Sequence, residues 1–206
     1  MSVRRLAVGL VPLLLAACAS APGIPDTRYF RLPERVAATP LAQPALADPL
    51  VVETFYADGV HSDQALLYSS DPDGEQLRAY HYQLWVDPPT RMLQRRLIRT
   101  LDEARLAPLV TERLPPHGRQ YRLQARIESF ERLQRADGWH VRAALAVRLD
   151  HSESAQPLLA RSYVQERRAG GEGIRDTVRA LGTAVDALYA DLLRDLSAPN
   201  LAAAAR

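Results

Sequence analysis

Apolar and polar positions alternate most regularly in the second half of the chain. Two segments place an apolar residue at every second position, which is the period of a strand with one buried and one solvated face. These residues are Tyr121, Leu123, Ala125 and Ile127 in the first segment, and Val141, Ala143, Leu145, Val147 and Leu149 in the second. Asp137-Gly138 lies between the segments and predicts a tight hairpin, because both residues tolerate the positive φ angles of the turn. Residues 158–167 predict a further strand.

Two other segments repeat apolar residues at steps of three and four, which is typical of an amphipathic helix. The first covers residues 91–107, with Thr90 as its predicted N-terminal cap. Its apolar stripe consists of Met92, Leu93, Leu97, Leu101 and Ala104. The second covers residues 172–196 and ends before Pro199, with a stripe of Ile174, Val178, Leu181, Val185, Leu188 and Leu192. Each helix therefore has one face to bury.

Shorter apolar runs in the first half predict three strands, over residues 50–55, 66–69 and 77–85. Asp71-Pro72-Asp73-Gly74 separates the last two and predicts a hairpin turn, because proline fixes one φ angle and glycine tolerates a positive one. The same residues resemble the start of a calcium loop, but the remaining ligands of an EF-hand do not follow them.

The order of elements is strands followed by a helix in each half of the chain. Strands joined by hairpins are antiparallel. We therefore predict an α+β fold, a mainly antiparallel sheet with the two amphipathic helices packed on one face, over residues 50–198. Residues 18–49 are rich in Ala and Pro and predict an extended tether, and residues 199–206 predict a disordered tail.

The N-terminus has the order of a secretory signal peptide over residues 1–17. Two arginines precede an apolar stretch over residues 6–15, which is too short to span a bilayer. Leu15-Ala16-Ala17-Cys18 resembles the lipobox of bacterial lipoproteins, and Cys18 is the only cysteine in the chain. We therefore predict lipidation of Cys18, which would anchor the mature protein to a membrane.

The mature chain is formally neutral. The whole sequence has 26 basic and 24 acidic residues, and removal of the two leader arginines leaves 24 of each. Nucleic acids and anionic lipid surfaces bind concentrated positive charge. The overall charge therefore predicts neither of them as the main partner, and we expect no nucleic acid.

No pattern of catalytic or metal-binding residues is found in the sequence. The five histidines lie on different predicted strands and turns, without the spacing of a metal site. Ser69, His81 and Asp87 would need the fold to bring them together as a triad, and no nucleophile elbow accompanies them. Gly170-Gly171-Glu172-Gly173 opens a predicted helix but lacks the Lys and Ser/Thr of a P-loop. We therefore predict no catalytic residue, no metal ligand and no cofactor.

Aromatic residues mark a candidate contact surface. Tyr80 and Tyr82 lie on one face of the predicted strand 77–85, whose other face also carries apolar residues. Tyrosines often cover the edge of a core with their hydroxyls in water, and that interpretation stays open beside a partner contact. Tyr29 and Phe30 interrupt the Pro-rich segment and predict a first edge strand that docks on the domain. These four residues are the candidate partner contacts.

Three motifs follow one another along the mature chain. Tyr29-Phe30-Arg31-Leu32 comes soon after Cys18, Tyr82-Gln83-Leu84-Trp85 runs into Pro88-Pro89, and Met92-Leu93 begins an amphipathic helix. This order, from Tyr29 to Leu196, resembles the ABC-type transport auxiliary lipoproteins, the PqiC-like family. The resemblance implies a non-enzymatic accessory protein of an MCE-type lipid transport system. Its implied partners are an MCE-domain protein and an inner-membrane ABC permease and ATPase.

The resemblance also implies an outer-membrane location. Ala19 stands where an inner-membrane lipoprotein typically carries Asp, and acyl chains such as palmitate on Cys18 would hold the domain facing the periplasm. A homo-oligomer stays open. Two other functions stay open as well, namely a lipopolysaccharide-assembly lipoprotein that partners an outer-membrane barrel and an envelope hydrolase.

Overall fold

A computed structural model describes residues 25–198, except for residues 36, 72, 116 and 117. The strands are β1 (Arg28–Phe30), β2 (Leu50–Val52), β3 (Tyr56–Ala57), β4 (Ala65–Ser69), β5 (Arg78–Trp85), β6 (Val110–Thr111), β7 (Tyr121–Arg135), β8 (Gly138–His151) and β9 (Leu159–Arg168). The helices are α1 (Pro89–Glu103) and α2 (Ile174–Leu196), and a 3-10 turn covers Gly59–Ser62. The predicted α+β class is confirmed. Residues 1–17, Cys18 and residues 199–206 lie outside the described residues.

None of the helices in the described part of the chain is both long and apolar enough to cross a membrane.

A long antiparallel meander forms the centre of the sheet. β7 and β8 pair through the predicted turn, where Gly138 has a φ of +116°, and β9 pairs antiparallel with β8. The predicted alternation is confirmed, because the apolar residues named for both strands lie in the core. A bulge in β7 between Ile127 and Ser129 adds one residue and exchanges the two faces. Phe130 therefore joins the same core as Ile127.

The sheet is mixed and not purely antiparallel. β2, β3 and β4 lie one after another along the other edge of β7, each parallel to it. β1 also runs parallel to β5, whereas β4 and β5 form the predicted antiparallel hairpin. Turn residues reveal hairpins locally, but they carry no information about strands that pair across a long connection. The sequence patterns therefore missed the parallel pairs.

The two helices share one core with the sheet. α2 packs along β8 and β9, and α1 contacts β2, β6 and α2. The hydroxyl of the fully buried Tyr189 donates to the Leu93 carbonyl oxygen at 2.8 Å. Arg96 donates to both carboxylate oxygens of Asp186, at 2.8 and 2.9 Å. These contacts fix α1 against α2.

The start of α1 differs from the prediction. Thr90 is not the cap, because Pro88 holds the cap position, Pro89 begins the helix, and no side chain caps it. Proline suits the first turn, since its fixed φ angle is helical and its missing N–H would have no partner there.

The end of α1 also comes earlier than predicted. The helix ends at Glu103, and Arg105 takes a left-handed conformation with a φ of +53°. The Leu106 N–H then donates to the Leu101 carbonyl oxygen at 3.1 Å. This arrangement is a Schellman ending, in which glycine is usual at the position that Arg105 holds.

Much of the predicted tether packs on the domain. β1 docks as the predicted edge strand. Leu46 is fully buried, and the N–H groups of Leu41 and Leu46 donate to carbonyl oxygens of Ala104 and Leu106 at 2.9 and 3.0 Å. Single apolar residues between prolines have no period, so the pattern that predicts helices and strands does not detect them. The described residues of 28–49 thus contribute to the packed structure together with those of 50–198.

Candidate partner surface on the edge strands

The four candidate contact residues lie on the two outermost strands at one edge of the sheet. β1 pairs with the C-terminal part of β5, so that Tyr29 lies beside Leu84 and Phe30 beside Trp85. Within the described part of the chain, no strand pairs with the outer edge of β5 over residues 78–82. An unpaired edge of this kind presents backbone N–H and C=O groups to a further strand. We call β1 and β5 together the edge surface.

Tyr29 and Tyr82 are the exposed members of the four. Their exposed fractions are 63% and 37%, and the Tyr82 ring lies 6.3 Å from the ring of His81. Aromatic side chains with this exposure are frequent anchors in protein interfaces. The geometry of both residues therefore suits a partner contact.

Phe30 and Tyr80 are half-buried and serve the fold as well. Phe30 packs against the core. The Tyr80 ring lies 4.4 Å from the ring of Tyr68, and its hydroxyl accepts a hydrogen bond from Arg132 at 3.2 Å. Burial raises the pKa of the Tyr80 hydroxyl, although the neighbouring Arg132 opposes the shift. Tyr80 thus covers the edge of the core, with its hydroxyl bonded to Arg132.

A buried cation beneath Tyr80 was missed by the sequence analysis. Arg132 is only 2% exposed, and its guanidinium carbon lies 3.5 Å from the centre of the Trp139 ring. Its Nη2 donates to the Glu172 carbonyl oxygen at 3.2 Å, and burial lowers its pKa. The alternating pattern does not predict this burial, because the bulge after Ile127 turns Arg132 from the polar face of the strand inward.

Two depressions flank Gln83 along the edge surface. One of about 570 Å³ includes Tyr68, Tyr80 and Tyr82. The other, of about 800 Å³, lies between β1 and the start of α2. The edge surface is therefore ridged, with room for side chains of a partner on either side of Gln83.

The structure does not bring the residues considered for catalysis together. Ser69 is buried and its hydroxyl interacts with the backbone of Asp71. Asp87 pairs with Arg95 at 3.3 Å, while His81 is exposed on β5. Among the described residues, no group of three or more His, Cys, Asp or Glu side chains is placed to hold a metal ion. Ser69, His81 and Asp87 do not form a triad here.

Solved structures with the same fold include proteins of low sequence identity. Protein XCC0632 from Xanthomonas campestris is 20% identical, with a TM-score of 0.69 over 81% of this chain and 92% of its own. A structure described as an uncharacterized protein is also 20% identical, with a TM-score of 0.67 over 84% of this chain and 100% of its own. The hypothetical protein CT253 from Chlamydia trachomatis is 9% identical, with a TM-score of 0.50 over 73% and 96%. These likenesses show a shared fold.

The family is shown by a sequence match. No curated protein matches this chain. The sequence profile of the ABC-type transport auxiliary lipoprotein component, however, matches residues 30–192. This span holds α1 and the full length of β2 to β9; it begins within β1 and ends within α2. The chain therefore belongs to the family of ABC-type transport auxiliary lipoprotein components.

Proposed function

We propose that the protein is a non-enzymatic accessory subunit of an MCE-type lipid transport system and docks its periplasmic conduit at the outer membrane. Membership of a transport auxiliary family supports the association with an ABC transporter. The ATPase of that transporter would supply the energy. The docking site is inferred from the two exposed tyrosines, Tyr29 and Tyr82, beside a strand edge with which no described strand pairs.

Cys18 would hold this surface near the membrane. Arg28, at the start of β1, is the tenth residue after Cys18. An extended chain of that length reaches about 33–36 Å. Several acyl chains on Cys18 would give stable anchoring, since a single chain binds a bilayer only marginally. The domain would thus stay close to the membrane while the edge surface contacts the MCE-domain protein.

Site-specific photocrosslinking in intact cells tests the docking site. A photoreactive amino acid replaces Tyr29 or Tyr82, and the matched control carries it at Tyr56, which is 54% exposed on β3. We expect the first two positions to capture the MCE-domain protein and the control position to capture much less. Equal capture from Tyr56 would contradict the docking site. Capture of a large β-barrel protein would favour the lipopolysaccharide-assembly function instead.

Metabolic labelling tests the anchor separately. Cells that grow with labelled palmitate should label the wild-type chain, and Cys18→Ala should abolish the label and move the protein out of the outer-membrane fraction. Retention of label in Cys18→Ala would show that acylation occurs elsewhere. Wild-type protein in the inner-membrane fraction would contradict the proposed location.

A further inference from the structure

A groove rich in arginine lies between α1 and the segment formed by residues 31–35 and 37. Its volume is about 650 Å³, which is in the usual range of ligand sites. Five arginines line it, two from the N-terminal wall and three from the helix: Arg31, Arg35, Arg95, Arg96 and Arg99. The groove contains none of the four candidate contact residues. It is therefore a second surface, which the proposed docking does not use.

Carboxylates neutralise only some of these arginines. Three pairs are formed: Arg35 with Glu103, Arg95 with Asp87, and Arg96 with Asp186. Glu34 is a further carboxylate in the lining and is exposed to solvent. Arg31 and Arg99 are exposed and form no ion pair with the described residues. Two guanidinium groups on opposite walls are thus available to a ligand.

The cations also crowd one another. Burial and the neighbouring Arg96 and Arg99 lower the pKa of Arg35, although the carboxylates of Asp186 and Glu34 oppose the shift. Neighbouring like charges repel each other, so an anion bound in the groove would relieve the repulsion between the guanidinium groups. The neutrality of the mature chain hides this feature, because net charge averages over the whole surface.

Apolar side chains complete the lining and narrow the class of ligand. Leu32 and Met92 are half-buried in the walls, and Val86 is exposed beside them. A guanidinium fork binds two phosphate oxygens at once. A free phosphate ion has no apolar part to place against these side chains, whereas a phospholipid carries its phosphate next to glycerol and acyl chains.

We propose that this groove binds the headgroup phosphate of an anionic phospholipid, with Arg31 and Arg99 as its contacts. Arg31 lies 13 residues after Cys18, and an extended chain of that length reaches about 43–47 Å. The groove can therefore touch the surface of the bilayer that holds the acyl chains. The inference rests on the proposed function only for the membrane location, and not for the MCE partner.

Vesicle binding tests the groove without the anchor. The chain from residue 18 onward with Cys18→Ala contains every residue that the structure describes and has no acyl chain to insert. Its binding to phosphatidylcholine vesicles is compared with binding to vesicles that also contain phosphatidylglycerol. The test variant is Arg31→Gln with Arg99→Gln. The control is Arg113→Gln with Arg167→Gln, which removes the same charge from two exposed arginines elsewhere.

We expect the wild-type chain to prefer the anionic vesicles and the test variant to bind them about tenfold to thirtyfold more weakly. The control should change much less. Equal losses in both variants would overturn the inference, because the attraction would then be spread over the surface. Displacement by inorganic phosphate as effective as that by short-chain phosphatidylglycerol would also overturn it, in favour of a free anion. Neither of these two results would change crosslinking from Tyr82. The groove proposal can therefore fail while the docking site stands.

Discussion

Gly182 in the middle of α2 allows the segment around Pro33 to lie against the helix. A Cβ atom at residue 182 would stand 2.9 Å from Cδ and 3.3 Å from Cγ of Pro33. The proline ring has no side-chain rotation that would relieve this contact. The Pro33 carbonyl oxygen also accepts a hydrogen bond from Arg96 at 2.8 Å. We therefore predict that Gly182→Ala displaces the segment from α2.

The expected sign is opposite to that of an ordinary glycine-to-alanine change in a helix. The higher helix propensity of alanine normally stabilises by about 1 kcal/mol. Loss of the hydrogen bond between the Arg96 guanidinium and Pro33 would cost about 1.5–3 kcal/mol. The free energy of unfolding should therefore fall by about 0.5–2 kcal/mol, which for a domain of this size lowers Tm by about 1–8 °C.

Urea denaturation followed by circular dichroism measures the effect, and a double-mutant cycle with Pro33→Ala identifies its cause. In the Pro33→Ala background the clash is gone, so Gly182→Ala should stabilise the protein. Thr183→Ala, at the exposed neighbouring position of the same helix, controls for helix propensity; it also removes a local hydrogen bond from the Thr183 hydroxyl to the Arg179 carbonyl oxygen. The reasoning is refuted if Gly182→Ala stabilises equally in both backgrounds.

Three further changes have defined outcomes. Arg132→Ala should lower the free energy of unfolding by about 3 kcal/mol, since it empties a buried site. It should also alter tryptophan fluorescence, because Arg132 lies over the Trp139 ring. Arg132→Met, which fills the site, should lower the free energy of unfolding less. Arg105→Gly should raise the free energy of unfolding by about 1 kcal/mol in urea denaturation, because glycine adopts the left-handed conformation without strain. Burial raises the pKa of Asp48, but hydrogen bonds from Arg119 and His151 outweigh this effect and hold the pKa below its usual value. The stability contributed by this carboxylate is therefore present above the unfolded pKa of about 3.9 and is lost as the pH falls through the lower folded pKa. Asp48→Asn should flatten the dependence of stability on pH below about pH 4, and an unchanged acid slope would contradict the assignment.

Local patterns predict the meander and both helices, because residues close together in the sequence encode these elements. The alternation in β7 and β8 and the turn at Asp137-Gly138 need only neighbouring residues to be recognised. The parallel pairs of β7 depend on connections that no local pattern describes. The hydroxyl of Thr90 predicts a helix cap, yet the rigid backbone of Pro88 and Pro89 determines where α1 begins.

The same contrast between local patterns and long-range contacts holds for the candidate site. Tyr29 and Tyr82 are exposed in the fold, and their role as partner contacts stays a prediction. The hydrogen-bond partner of Tyr80 could not be predicted, since it is Arg132, which a bulge turns inward. The groove arginines come from two segments about 60 residues apart, and only folding places them on facing walls.

The segment around Pro33 connects the two proposed surfaces. It follows Tyr29 of the edge surface, and it carries Arg31 of the groove. Tyr82 and Arg99, by contrast, belong to β5 and α1 and do not depend on the position of this segment. Gly182→Ala should therefore weaken crosslinking from Tyr29 and vesicle binding together, while crosslinking from Tyr82 continues. If crosslinking from Tyr29 and vesicle binding respond independently, the segment does not couple docking to lipid contact, and each surface must be held in place by its own strand or helix.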